Sequence, residues 1–522
     1  MYNSNAIETN YSKQVSLEHR KKFAQIFTPF SIANLMVKWL LGNENLQTVL
    51  EPAFGLGVFS RALLSQKNDV QIKGFEIDNL IFEQAKKEFS GTERINLLLK
   101  DYIFNDWQNK YDGIICNPPY FKFHDYDNKN TLKEIGTKLK CKLNGFTNLY
   151  VLFLLKSIHQ LNPNGRCAYI VPSEFLNSDY GKLAKKHLLK TGTLRHIIVF
   201  DFKENIFDDA LTTASIILCA NDNKIAKAQF TSVQTINELN IVEKQITAYP
   251  QQSGTKTYFF SELNPEIKWK TYYQPQYGHR FKNLVPFSTY AKVVRGIATG
   301  ANNYFMFNLS KARKYNIDER YLLPCVCRST DVRGNFFTKS DFEDLKNKDK
   351  NVFLINAINS YNENVAQYLI KGEQEEVNRK FLTSKRNPWY SLEKRPPAPI
   401  WVSVFNRTGL RFVRNEANVS NLTTFHCIYP QTELFSDVSV ELLFAYLLTN
   451  TARQVFEDNS REYGNGLQKF EPNDLNKGSV LDLGKLSTSA KQKIGDLYLK
   501  SLNDNDTRFA DNINSIFIEN FC

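Results

Sequence analysis

Thr48-Val49-Leu50-Glu51-Pro52-Ala53-Phe54-Gly55-Leu56-Gly57-Val58-Phe59 runs from a short apolar stretch through a glycine-spaced turn into a second apolar stretch. This order reads as strand, tight loop, helix. Glycines at 55 and 57 let the backbone turn sharply and come close to a ligand at the helix start. A dinucleotide fingerprint asks for a third glycine at position 60, where this chain has Ser60. On these residues alone a nucleoside site and a plain strand-to-helix turn both stay open.

Further apolar runs at 72–75, 113–116, 168–171, 196–200 and 214–219 flank stretches with helical spacing, such as 58–64 and 80–89. The alternation predicts an α/β fold, a doubly wound Rossmann-like domain with a largely parallel sheet, over about 48–218. Ligands in such sheets sit beyond the carboxyl ends of the strands. The second run ends in Gly74-Phe75-Glu76-Ile77-Asp78, which places Glu76 roughly 20 residues past the glycines, where an acid suits a ribose diol. A solvated loop acid is the other reading.

Ile114-Ile115-Cys116-Asn117-Pro118-Pro119-Tyr120 follows the fourth strand. Pro118 and Pro119 stiffen the backbone and remove two amide donors. Asn117 then offers its side-chain carbonyl, and Pro118 its backbone carbonyl, as paired acceptors for a planar amine. Drawing the amine hydrogens away frees the nitrogen lone pair for attack. Tyr120 supplies a ring face for stacking.

These motifs resemble those of the amino-methyltransferases, and their order resembles the gamma group of DNA adenine methyltransferases, the TaqI-like modification enzymes, over nearly the whole chain. The resemblance implies S-adenosylmethionine as cofactor and methyl transfer to N6 of a flipped adenine in double-stranded DNA, as the modification half of a restriction-modification system. Gln25-Ile26-Phe27-Thr28-Pro29 matches the element that holds the cofactor's methionine part, with Thr28 on the carboxylate. Glu51, Ala53 and Gly55 would line the amino-acid end, Glu76 the ribose, and Asp101 in Lys100-Asp101-Tyr102 the cofactor's adenine amine; Asn117 borders both cofactor and base. Residues 148–153 resemble the segment that closes the pocket, with Asn148 where an aspartate is common. Asn205-Ile206-Phe207-Asp208-Asp209-Ala210 resembles the loop whose aromatic, here Phe207, stacks on the flipped base. Phe54 and Leu56 depart from the small residues usual in the glycine loop.

The 522 residues exceed what one core organises, and the expected division is a catalytic part, 1–240, and a mixed α+β target-recognition part, 241–522. Lys292-Val293-Val294-Arg295-Gly296-Ile297-Ala298-Thr299-Gly300 resembles the start of the recognition region, and residues 461–472 its end. Between them, residues 379–414 hold nine lysines and arginines against the one acid Glu393, interleaved with Trp389, Tyr390, Trp401 and Phe405. Basic groups seat phosphates and arginines read base edges, which makes Arg386, Arg395, Arg407 and Arg411 expected DNA contacts. A solvated basic face over a packed core is the alternative.

The net charge of +12 favours polyanions. No apolar run approaches the ~18 residues of a membrane span, and residues 1–10 lack the pattern of a secretory signal. A cytoplasmic protein is expected, on the DNA of a bacterial or archaeal nucleoid. The cysteines, 116, 141, 167, 219, 325, 327, 427 and 522, form no zinc set; free thiols and no metal are expected.

Pro324-Cys325 with Glu363 imitates the nucleophile and acid of cytosine ring-carbon methyltransferases, but that class carries its cysteine where this chain has Asn117. Glu266-Ile267-Lys268 is a lone acid-x-lysine triplet without an acidic partner, so any cognate endonuclease is expected as a separate protein. The same tetrad also serves enzymes that methylate protein glutamine or ribosomal guanine. A non-catalytic DNA-binding protein on this scaffold is a further reading, and a nicotinamide dehydrogenase leaves the proline tetrad unexplained.

Overall fold

A computed structural model describes residues 5–120, 129–143, 147–178, 180–200, 214–223, 225–251, 256–357, 361–406, 410–431, 438–459, 461–463, 467–503 and 509–522. They form two compact units, Met1–Pro275 with Arg461–Gly466, and Gln276–Ser460 with Leu467–Cys522.

The first unit begins with helices α1 (Ala6–Gln14), α2 (Leu17–Lys22) and α3 (Phe30–Leu41). Strand β1 (Thr48–Glu51), helix α4 (Val58–Leu64), β2 (Gln71–Glu76), α5 (Asn79–Glu88), β3 (Ile95–Leu99) and β4 (Tyr111–Cys116) follow. Then come α6 (Lys129–Lys138), α7 (Leu149–His159), β5 (Leu161–Pro172), α8 (Glu174–Asn177), α9 (Gly181–Thr191), β6 (Leu194–Phe200) and β7 (Ala214–Ala220). The unit ends with β8 (Lys227–Val233), α10 (Leu239–Thr247) and β9 (Thr257–Phe259).

Among the described residues these strands make one nine-stranded sheet in the order β3-β2-β1-β4-β5-β7-β6-β8-β9. From β3 to β5 every pairing is parallel. Strand β7 runs antiparallel to both β5 and β6, a reversal that apolar periodicity does not reveal.

Alternate residues of each central strand enter opposite layers, as the two-residue period of a strand demands. Leu50, Phe75, Ile114, Cys116, Tyr169 and Ile217 pack with α7 and α9. Val49, Ile72, Ile115, Ile170 and Ile216 pack with α3, α4 and α10. A sheet buried on both faces explains why these strands are continuous apolar runs. Helix α7 is apolar on nearly every side, Leu-Tyr-Val-Leu-Phe-Leu-Leu, and its residues from Leu149 to Ile158 are buried.

The expected border at 240/241 falls inside α10, and the first unit continues to Pro275. The strand-helix alternation therefore extends beyond the 48–218 stretch, through β8, α10 and β9. Strand β8 escapes a periodicity reading because Lys-Ala-Gln-Phe-Thr-Ser-Val mixes polar residues into a strand that buries only Ala228, Phe230 and Val233 as apolar side chains.

The second unit is mixed α and β. Its five-stranded sheet orders Ala291–Arg295, Phe425–Pro430, Ile400–Ser403, Phe412–Asn415 and Phe336–Phe337. Helices Val440–Leu447, Asn450–Glu457, Thr488–Asn503 and Phe509–Phe521 belong to the same unit. Among the described residues no helix is long and apolar enough to cross a membrane.

Candidate active site

Strands β2, β1 and β4 are adjacent and parallel, so their final residues, Glu76, Glu51 and Cys116, emerge at one edge of the sheet. The chain order turns back there, between β1 and β4, which is the switch point where such sheets bind ligands. A cleft of about 830 Å³, counting the solvent at its mouth, opens at this edge. Phe27, Thr28, Glu51, Ala53, Gly55, Glu76, Asp101, Tyr102, Asn117 and Pro119 line it, as do Leu149 and Phe153 of α7. Pro29, Pro118 and Tyr120 lie outside the lining. Phe207 lies outside the described residues.

Gly55 and Gly57 hold φ of +54° and +72°, the left-handed region where a side chain is strained. At Gly57 an added Cβ would also meet the Phe89 ring at 2.5 Å. The bulky neighbours are accommodated by burial: Phe54 packs with Phe89 and Ala85, and Leu56 with Tyr11 and Ile81. The Gly55 amide donates to Glu76 Oε2 at 2.9 Å, while the Ile77 and Asp78 amides donate to Oε1 at 2.8 and 2.9 Å. Burial pushes the Glu76 carboxyl up, and these amides oppose it.

Glu51 is 1% exposed. Ser60 Oγ donates to its Oε2 at 2.5 Å, and its Oε1 has no hydrogen-bond partner among the described residues. Burial raises this carboxyl to about 8. Asp101 Oδ1 accepts from the Ile103 amide at 2.8 Å, which fixes the bend after β3. The Tyr102 ring is buried, and its hydroxyl donates to Gln160 Oε1 at 2.7 Å.

The Asn117 Nδ2 donates to Ile26 O at 2.9 Å and to Thr28 Oγ1 at 3.0 Å. A backbone carbonyl only accepts, so the amide nitrogen must face it. Both amide hydrogens are spent there, and the carbonyl oxygen is what the side chain has left to offer in the cleft. Tyr120 is half-buried, edge-on to Tyr150 with ring centres 6.2 Å apart, and its hydroxyl donates weakly to Ile170 O at 3.4 Å.

Residues 17–207 match the family model described as Eco57I restriction-modification methylase, and residues 279–512 match the type II methyltransferase M.Eco57I, C-terminal domain. The type II methyltransferase M.AccI of Acinetobacter calcoaceticus is 68% identical over 496 residues, covering 95% of this chain and 92% of that protein. The chain belongs to the type II methyltransferases of restriction-modification systems. A tRNA1(Val) (adenine(37)-N6)-methyltransferase of Glaesserella parasuis is 26% identical to the methyltransferase over 38% of its length, covering 86% of that enzyme. The type IIL restriction-modification enzyme MmeI, solved in complex with DNA, shares the fold with a TM-score of 0.55 at 14% identity, over 99% of this chain and 75% of that one.

The methyltransferase acts on DNA and takes its methyl group from S-adenosylmethionine. The cleft fits that cofactor on its own chemistry: the unpartnered buried oxygen of Glu51 suits a cationic amine, and the apolar walls Phe75, Ile81 and Phe153 suit a nucleoside. Cys325 is fully buried in the strand Leu322–Val326 of the second unit, and Glu363 is exposed at the start of the helix Glu363–Gln374.

In the methyltransferase's second unit the described arginines expected at DNA are held by their own chain. Arg386 donates to Ala298 O and to Thr299 O, the latter at 3.0 Å. Arg411 donates to Val332 O at 2.9 Å and Ser329 O at 3.2 Å. Arg395 pairs with Glu393 at 2.9 Å, and Arg407 lies outside the described residues. Of the interleaved aromatics, Trp401 is core, and Trp389 packs against Tyr304, Phe305 and Tyr390. Sequence reasoning also missed Glu8, which lines the cleft from α1 and carries no motif.

Proposed function

We propose that the methyltransferase modifies N6 of an adenine swung out of double-stranded DNA, with the first unit catalytic and the second unit selecting the site. The observation that carries this is the orientation of Asn117: its nitrogen is anchored to Ile26 and Thr28, so a carbonyl acceptor is presented to an incoming amine. An exocyclic amine answers such an acceptor, whereas ring-carbon methylation needs an exposed thiolate. Cys116, beside Asn117, is fully buried and burial pushes its thiol well up. Adenine rather than the cytosine amine is favoured by the motif order and by the adenine-N6 activity in the name of the tRNA-modifying relative.

S-adenosylmethionine supplies a methyl group already activated on sulfur. The protein's work is then to position the amine and to stabilise the charge that grows on its nitrogen. In this reading Asn117 Oδ1 and the Pro118 carbonyl accept the amine hydrogens, Pro119 keeps that backbone rigid, and Tyr120 and Phe207 grip the base. Extruding a base costs a few kcal/mol, which stacking and these hydrogen bonds offset. Thr28, Glu51 and Gly55 hold the amino-acid end of the cofactor, Glu76 its ribose and Asp101 its adenine. A separate endonuclease that cleaves the unmodified site is part of the same proposal.

Duplex DNA incubated with the protein and cofactor, then digested to nucleosides and analysed by mass spectrometry, should contain N6-methyldeoxyadenosine alone. N4-methyldeoxycytidine would overturn the choice of base, and label entering RNA or protein instead would overturn the substrate.

A further inference from the structure

Ser60 and Arg61 are consecutive in α4, and each holds one oxygen of a different buried carboxylate. Ser60 Oγ donates to Glu51 Oε2 at 2.5 Å, and the Arg61 guanidinium pairs with Glu8 Oε1. Arg61 also donates to Leu56 O in the glycine loop at 2.7 Å. Glu8 is only 3% exposed, and both carboxylates line the cleft. In each the second oxygen, Glu51 Oε1 and Glu8 Oε2, has no hydrogen-bond partner among the described residues. A carboxylate oxygen removed from water and left unpaired carries a desolvation cost that a cationic donor relieves.

We infer that Glu8 is a second anionic contact for the amino-acid end of the cofactor, sharing its ammonium group with Glu51. The inference rests on the assignment of this cleft to S-adenosylmethionine. An ammonium carries three N–H donors and needs more acceptors than one carboxylate oxygen supplies. The sulfonium and the nucleoside offer no comparable cationic donor. The pairing is complementary as well: Arg61 stands against Glu8, and Glu51, once it gives up its proton, faces the ligand's positive amine. Helix α1 is fixed in place for this role by Asn5, whose Nδ2 donates to Thr28 O at 3.0 Å and whose Oδ1 accepts from the Phe30 amide at 2.7 Å.

Calorimetry with two ligands tests the inference, because 5′-methylthioadenosine keeps the nucleoside and sulfur but lacks the amino acid. Glu8→Gln should weaken S-adenosylmethionine at least tenfold and leave methylthioadenosine within twofold. Unchanged cofactor affinity, or equal weakening of both ligands, would overturn the role and leave Glu8 a partner for Arg61 alone. Since Glu8→Gln strands a buried guanidinium, the double variant Glu8→Gln/Arg61→Gln is measured too and must show the same selective loss; equal losses there overturn the inference. If the unaltered protein binds methylthioadenosine but not S-adenosylmethionine, the assignment of the cleft fails first, and the role of Glu8 with it.

Discussion

Thr28 Oγ1 accepts a hydrogen bond from Asn117 Nδ2 at 3.0 Å, which ties the loop before α3 to the residue after β4. The hydroxyl keeps its own proton free to be donated, so one side chain reaches both the proposed cofactor end and the proposed base acceptor. Thr28→Val removes the acceptor and leaves an amide hydrogen of Asn117 unsatisfied. Loss of one such bond is worth ~1 kcal/mol, so single-turnover methyl transfer at saturating cofactor should slow by about fivefold to tenfold. Thr28→Ser should restore it. An unchanged rate for the valine variant would show that Ile26 O alone orients the amide.

The Glu51 carboxyl, raised to about 8 by burial, is protonated at neutral pH in the free protein. Pairing with an ammonium requires the carboxylate, so cofactor binding releases a proton. The sign follows: affinity rises with pH, approaching tenfold per pH unit well below 8, and stops rising above it, where the ligand's own α-amine gives up its proton. Calorimetry in buffers of different ionisation heat should detect the released proton, and Glu51→Gln should abolish both the release and the slope.

Arg386 and Arg411 serve the fold of the second unit, since their guanidinium groups satisfy backbone carbonyls. Replacing either by alanine strands those carbonyls and should cost about 1–3 kcal/mol of stability, read as a lower Tm. The salt dependence of DNA binding should hardly change. Exposed Lys380 and Lys394 lie in the same basic stretch, and alanine at either should reduce the slope of log affinity against log salt by about one.

Much of the site is legible in the sequence because its parts sit directly after strands. Glu51, Glu76 and Asn117 each end or follow an apolar run, and strand ends gather ligands. The Asn-Pro-Pro-Tyr tetrad is equally readable, since two prolines after a buried strand leave few structural alternatives. The reversed strand β7 is not legible, because a strand buried on both faces has the same composition in either direction. The sequence also does not reveal that Phe54 and Leu56 turn beneath the loop; only the positions of Phe89, Tyr11 and Ile81 make room for them. The second job of the basic stretch is hidden for a related reason: composition counts arginines but does not show that Arg386 and Arg411 also hold backbone carbonyls of their own chain. Glu8 is invisible because a single acid in a polar first helix has no periodic or motif context.

In the proposed reaction the carbonyl of Asn117 accepts the hydrogens of the amine to be methylated. The most direct test of this is the single-turnover rate of methyl transfer by Asn117→Ala, measured beside the Kd for S-adenosylmethionine. The rate should fall about a thousandfold, as when one preorganised polar group is removed from a reacting centre, with cofactor affinity held within a few fold. Transfer at close to the unaltered rate would contradict it.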